Sequence, residues 1–189
     1  MSRDFRSPAA TAAALVAMLA SVPAWAADYV QSAGSSLVFA SQYDGEVFTG
    51  RFPNFTTSLS FDPARLDTAK LDVIIPLGGT ATGNADRDST LLGGDFFNVG
   101  KFAQARYTAT RFRALGGNRY AADGSLSLRG VSKPVTLTFA WTPGAQPVLD
   151  GRATVKRLDF GVGGGDWADT RALPNEVAVS TKVVFKPAR

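Results

Sequence analysis

The side chains in this chain that are suited to chemistry are carboxylates, hydroxyls, lysines and arginines, because its 189 residues include no histidine and no cysteine. That composition removes the ordinary zinc, haem and copper ligands, the thiol nucleophile and the most common general base. Acid pairs stand at Asp86/Asp88 and Asp166/Asp169, a grouping that invites a glycosidase or a calcium reading. Neither sits in the wider pattern: the EF-hand spacing is missing, and acids at a helix start or in a glycine-rich loop are common surface features. Lys70, Lys101 and Lys133 would need a buried amine to act as bases, and nothing around them in the sequence supplies one. The run Gly163-Gly164-Gly165 lacks the following helix with Lys-Ser or Lys-Thr that a phosphate loop requires. An esterase-like hydrolase would use a hydroxyl, and no hydroxyl is nominated. The expectation is a protein with no catalytic residue, no metal ligand and no cofactor, hence a binding protein and not an enzyme.

The elements that position such a protein begin after residue 26. Arg3 and Arg6 precede an apolar stretch from Ala9 to Ala20, and Ala24-Trp25-Ala26 offers small residues at a peptidase site. This predicts a secretory signal peptide over residues 1–26, cleaved after Ala26, and one mature domain over 27–189. The apolar run is about half the roughly 20 residues that a membrane-spanning helix needs. Export places the chain in the periplasm, where the lack of cysteine makes it indifferent to redox state. With 45% apolar and 19% charged residues the chain can bury a core, which excludes general disorder. Its net charge of +4 is spread along the sequence, with Lys156-Arg157 the one adjacent basic pair in the mature part, so nucleic acid is excluded as a partner.

Period-two alternation dominates the mature part. Phe55, Thr57, Leu59 and Phe61 share one face of a strand that Asp62-Pro63 ends. The same period recurs at Leu71-Val73-Ile75, Thr108-Thr110-Phe112, Tyr120-Ala122 with Leu126-Leu128, Val135-Leu137-Phe139-Trp141, Ala153-Val155 and from Val177 to Phe185. Two earlier strands are predicted at Ser36–Gln42 and Val47–Phe52. Asp44-Gly45, Gly116-Gly117-Asn118, Asp123-Gly124, Arg129-Gly130 and Pro143-Gly144 read as turns. One short helix is predicted from Ala85 to Leu92, capped by Asn84 and stopped by Gly93-Gly94. The fold class is therefore all-β. About eight antiparallel strands with short links favour an up-and-down barrel, which removes exposed edges, over a two-sheet sandwich.

Several stretches, in order, resemble the YceI family of lipocalin-like exported proteins that bind polyisoprenoid lipids. They are Gly50-Arg51-Phe52 with Phe55 and Leu59-Ser60-Phe61-Asp62-Pro63; Arg87-Asp88 with Leu91-Leu92, Asp95-Phe96-Phe97-Asn98, Lys101-Phe102 and Ala105-Arg106-Tyr107; Gly124 through Val135; and Asp159-Phe160-Gly161-Val162 with Glu176-Val177. Tyr43 stands where many members of that family carry histidine. The resemblance implies an extended antiparallel barrel around a long apolar cavity that holds the isoprenoid tail of a quinone or polyprenyl compound.

For such a cavity the residues selected are Phe39, Phe52, Phe55, Leu59, Leu91, Phe96, Phe97, Phe112, Leu126, Leu137 and Phe139, against the plainer alternative that any one of the thirteen phenylalanines simply fills the core. Arg87 and Asp88 either meet a head group or pin a loop through hydrogen bonds and a salt bridge, the second being the commoner role. Asp95 is expected to brace a turn and Trp167 to anchor its loop on the barrel wall. Arg111, Arg113 and Arg119 read as a solvated strand face, with an anionic lipid surface as the sharper alternative. The implied function is a periplasmic carrier of an isoprenoid lipid or quinone, in transient contact with a membrane surface. The alternative is a non-catalytic interaction module for a membrane redox partner such as a cytochrome b-type protein, with its interior filled by its own side chains. A homodimer is left open.

Overall fold

The computed structural model describes residues 27–188, so the predicted signal segment lies outside the described residues. Within them ten strands form: β1 (Ala27–Gln31), β2 (Ser36–Tyr43), β3 (Glu46–Arg51), β4 (Thr56–Phe61), β5 (Lys70–Pro76), β6 (Gln104–Gly116), β7 (Arg119–Leu128), β8 (Val131–Thr142), β9 (Val148–Lys156) and β10 (Glu176–Pro187). A single α-helix, α1 (Ala85–Leu92), follows β5. Its bounds are those read from the sequence, and the reason is local: the Asn84 side chain accepts from the Arg87 N–H at 2.9 Å, and Gly93 ends the helix.

Antiparallel pairing runs β1-β4-β5-β6-β7-β8-β9-β10 and returns from β10 to β1, so eight strands close a barrel. The long β10 makes this possible by dividing one edge between two partners. Its residues 178–182 pair with β2 and its residues 185–187 pair with β1. At one end β1 therefore closes the ring directly. At the other, the β2–β3 hairpin occupies the seam, and a bridge from Arg51 to Ala81 fastens β3 to the chain after β5.

The outer face is built from residues such as Thr56, Ser58, Arg106, Thr108, Arg113, Thr136 and Thr138, and the inner from Leu, Val and Phe. A barrel that faces lipid has the reverse pattern. Arg113 makes a bidentate pair with Asp123 at 2.8 and 3.2 Å, and Asp123 also accepts from Thr136 Oγ1 at 2.8 Å. Arg111 and Arg119 are exposed beside them, so this cluster is the solvated strand face.

Two details differ from the sequence reading. Asp123-Gly124 is not a turn but the middle of β7, because Gly124 serves packing instead: a Cβ there would sit 2.5 Å from the Tyr107 ring carbon Cζ and 2.5 Å from the Thr108 carbonyl. Thr108, Thr110 and Phe112 do not share a face. A register shift between Ala109 and Arg111 leaves both threonines outside and turns Phe112 inward after Ala105, Tyr107 and Ala109. The strand β1 carries too short an apolar pattern to be recognised locally, yet it completes the ring.

Candidate functional site

The inward rows change character along the barrel. On β8 the sequence runs Val135 and Leu137, half-buried, then Phe139 and Trp141, fully buried. On β10 it runs Val177, Val179 and Thr181, half-buried, then Val183 and Phe185, at 2% and 0% exposure. β5 and β9 repeat the gradient, with Val73 and Ile75 against Leu71 and with Ala153 and Val155 against Leu149. Side chains that point inward and yet keep free surface must face a hollow.

That hollow is a cavity of about 190 Å³ with an almost wholly apolar wall. Its floor is the end where β1 closes the ring. There Phe61 packs against Phe112, Tyr120, Phe139 and Trp141 at ring-centroid distances of 5.9, 5.1, 5.7 and 5.1 Å, with Tyr29 and Phe185 alongside. Such edge-to-face and tilted contacts fill space closely. One side of the cavity is a run of rings in which Phe39 touches Phe48 at 6.5 Å and Phe52 at 5.2 Å, and Phe52 touches Phe97 at 6.0 Å. Valines and leucines of β5, β8, β9 and β10 form the rest of the wall, with Val179 of β10 directly beside Phe39.

The far end is covered by α1, the loop 93–103 and the segment 157–175, which contribute Leu91, Phe96, Phe97, Arg157, Val162 and Leu173 to the wall. Arg157 organises this cover. Its side chain is 3% exposed and donates to five backbone carbonyls: Pro174 at 3.0 Å, Val162 at 3.0 Å, Gly163, Trp167 at 2.7 Å and Leu173 at 2.7 Å. All five guanidinium N–H groups are used, with no carboxylate involved. Burial pulls its pKa below the ordinary guanidinium value. Gly163 is required there, since its φ is +64° and a Cβ would lie 2.6 Å from Arg157 Nη1. The segment is tied to its neighbours by Gly163 N–H donating to Asp95 O at 2.7 Å, by Asp44 N–H donating to Ala172 O at 2.9 Å, and by Trp167, which packs on Phe96 at 5.2 Å and Tyr43 at 5.8 Å. Arg129, in the β7–β8 turn, donates to the Gly94 and Phe96 carbonyls.

Of the residues selected from sequence, Phe39, Phe52, Leu91, Phe96, Phe97, Leu126 and Leu137 line the cavity. Phe55, Leu59, Phe112 and Phe139 do not. Phe112 and Phe139 belong to the aromatic floor, and Leu59, at 1% exposure, is sealed between Tyr29 of β1 and Leu71 of β5. Phe55 precedes β4 and is buried in the core beside the cavity. The wall residues not selected include Phe48, Leu37, Leu71 and the valines and isoleucine Val73, Ile75, Val155, Val177 and Val179. Period-two alternation marks several of them as inward, but it does not give their depth along the barrel.

Asp88 pins a loop, accepting from both the N–H and the hydroxyl of Thr82 at 2.7 Å. Arg87 forms no salt bridge with it. Adjacent helical residues point apart, and the guanidinium lies over the Phe48 ring at 4.3 Å. Asp95 braces through its backbone carbonyl. Asp169 pairs with Arg171 at 2.8 Å, and among the described residues no group of three or more acids, histidines or cysteines is placed to hold a metal ion. Tyr107, in the wall, donates to the Ala122 carbonyl at 2.8 Å and lies 3.1 Å from that of Val135, and burial pushes its pKa far above the ordinary phenol value, so it is no base at neutral pH.

Comparison with known proteins agrees with this geometry. The sequence matches the YceI-like domain along residues 29–185. A UPF0312 protein of Shewanella baltica strain OS185 is 33% identical over 156 residues, which is 77% of this chain and 82% of that protein. Among solved structures, Burkholderia cenocepacia BcnA superposes with a TM-score of 0.76 at 27% identity, covering 79% of this chain and 95% of BcnA. A polyisoprenoid binding domain from Saccharophagus degradans, implicated in plant cell wall breakdown, shares the fold with a TM-score of 0.66 at 15% identity, covering 86% and 99% of the two chains.

Proposed function

The chain belongs to the YceI-like family, and on that premise we propose that it is a binding protein that encloses the tail of an isoprenoid lipid or quinone in its barrel. The observation that carries this reading is the apolar cavity between the aromatic floor and the Arg157 cover. Each methylene moved from water into such a wall contributes about 0.8 kcal/mol, so a few isoprene units bind without any directional chemistry. The fold shared with a polyisoprenoid binding domain supports the same choice of ligand. The redox-partner alternative expected an interior filled by its own side chains, and the half-exposed inner rows do not favour it.

The basic, apolar and small-residue order of the first 26 residues supports export, and with it a periplasmic carrier. Shielding an insoluble tail in an aqueous compartment is the physical motive. Native mass spectrometry after mild purification tests the reading. An isoprenoid mass on the folded protein is expected. An empty protein that takes up neither ubiquinone nor polyprenyl phosphate overturns it. Intact mass of the exported form should place the N-terminus at Ala27.

A further inference from the structure

The hollow has to be reached from outside, and most of its boundary is held by bonds that do not open singly. The floor is filled with packed rings. The cover hangs on the carbonyls that Arg157 holds and on the backbone bonds of Gly163 to Asp95 and of Asp44 to Ala172. From β5 round to β3 the wall is one unbroken antiparallel sheet, which stops at β3 with β2 on one side of it and no strand on the other. Phe52 N–H donates to Leu37 O on the β2 side at 3.0 Å, whereas Arg51 exchanges two bonds with Ala81 on the other side, at 2.9 and 3.1 Å. Alternation along an antiparallel strand therefore turns the N–H and C=O groups of Val47 and Thr49 to the side of Ala81, where neither residue has a backbone partner among the described residues. Both residues are exposed, Val47 at 70%, so water reaches this edge.

The partner strand is missing because the chain turns away two residues after Ala81, at Gly83 with a φ of +79°, and Asn84 then starts α1. The helix stands where a strand would otherwise close the wall beside β3, and its grip is light. Leu91 is its one fully buried side chain, and across the seam Arg87 lies over Phe48. Phe48 and Leu91 both belong to the cavity wall. The C-terminal end of α1 is fixed, since Phe97 and Val99 N–H groups donate to the Leu91 and Leu92 carbonyls at 2.9 and 3.2 Å. Its N-terminal end is joined through Gly83, which has open space around it. On the reading that an apolar ligand occupies the hollow, we infer that the ligand enters and leaves sideways, through the seam between β3 and the N-terminal half of α1, which swings out about its fixed C-terminal end. The swing breaks no strand ladder and gives up the Arg87–Phe48 contact, whereas any other route breaks a ladder or leaves the buried Arg157 donors unpaired.

The chain has no cysteine, so a Val47→Cys, Arg87→Cys variant can be bridged across the seam by a bismaleimide with a reducible spacer. Uptake of a short-tailed ubiquinone is followed by stopped flow through quenching of Trp141 in the floor and Trp167 in the cover. The bridge should slow uptake at least about tenfold, and reduction of the spacer should restore the rate in the same molecules. A control bridge between Glu46→Cys and Arg171→Cys ties the β2–β3 hairpin to the cover, beside the bond of Asp44 to Ala172, and should leave the rate alone. Arg87→Ala, which needs no bridge, should speed uptake about two- to fivefold, the worth of one partly exposed cation–π contact. Uptake unchanged by the seam bridge, or slowed as much by the control bridge, overturns the sideways entrance and leaves the container standing, and so does an Arg87→Ala rate equal to that of the wild type. Absence of saturable quenching in the wild type overturns both.

Discussion

Phe61→Ala and Leu137→Ala should have very different costs, although both remove a large inward side chain from the same barrel. Phe61 is 1% exposed and touches four aromatic rings, each within 6 Å centroid to centroid. Truncating a buried Phe costs about 3–5 kcal/mol, and loss of four ring pairs worth about 0.5–1.5 kcal/mol each beyond their area puts this site at the upper end. Leu137 borders the hollow, so part of its surface has no partner atoms to lose, and its removal enlarges a space that already exists. Its cost should be about 1–2 kcal/mol, below the usual core Leu→Ala range. At roughly 2–4 °C per kcal/mol for a domain of this size, the melting temperatures should fall by about 10–20 °C and about 2–8 °C respectively. The assay is urea denaturation of delipidated protein, with the m-value checked for two-state behaviour. Equal losses at the two positions would refute the division into a filled floor and a hollow upper barrel.

Arg157→Lys should destabilise the protein by about 2–5 kcal/mol, because three ammonium donors cannot satisfy five carbonyls and at least two are left buried and unpaired; limited proteolysis should then cut first within 157–175. Gly124→Ala should cost at least about 1–3 kcal/mol through the clash with the Tyr107 ring, read by chemical denaturation, while alanine at the exposed Gly100, where a Cβ meets nothing, should be near neutral. The Arg113 guanidinium, with Thr136 beside it, holds the Asp123 carboxyl down at about 2 against an ordinary 3.8. Its contribution is therefore complete above about pH 4 and lost as the pH falls through 2. Because the pair is solvent-screened the effect should stay under about 1 kcal/mol. Melting temperature followed from pH 5 to pH 1.5 should show a shallower acid limb in Arg113→Gln than in the wild type.

Strand identity and inward direction were legible from the sequence because both follow from nearest-neighbour geometry. A period of two fixes which side chains share a face, as at Val135-Leu137-Phe139-Trp141 and from Val177 to Phe185, and Asn84 and Gly93 fix α1 through bonds spanning three residues. Family membership was legible for a related reason, since its motifs are short and ordered. Depth along the barrel was not. Leu137 and Phe139 are both apolar and both on the inward row of β8, yet one lines the cavity and the other belongs to the floor. That difference is set by register between strands far apart in the chain, above all by where β10 exchanges β2 for β1 as its partner. Composition alone removed imidazole and thiol chemistry, because the chain has no histidine and no cysteine. Only ring closure decided where the apolar side chains meet and where they stay apart.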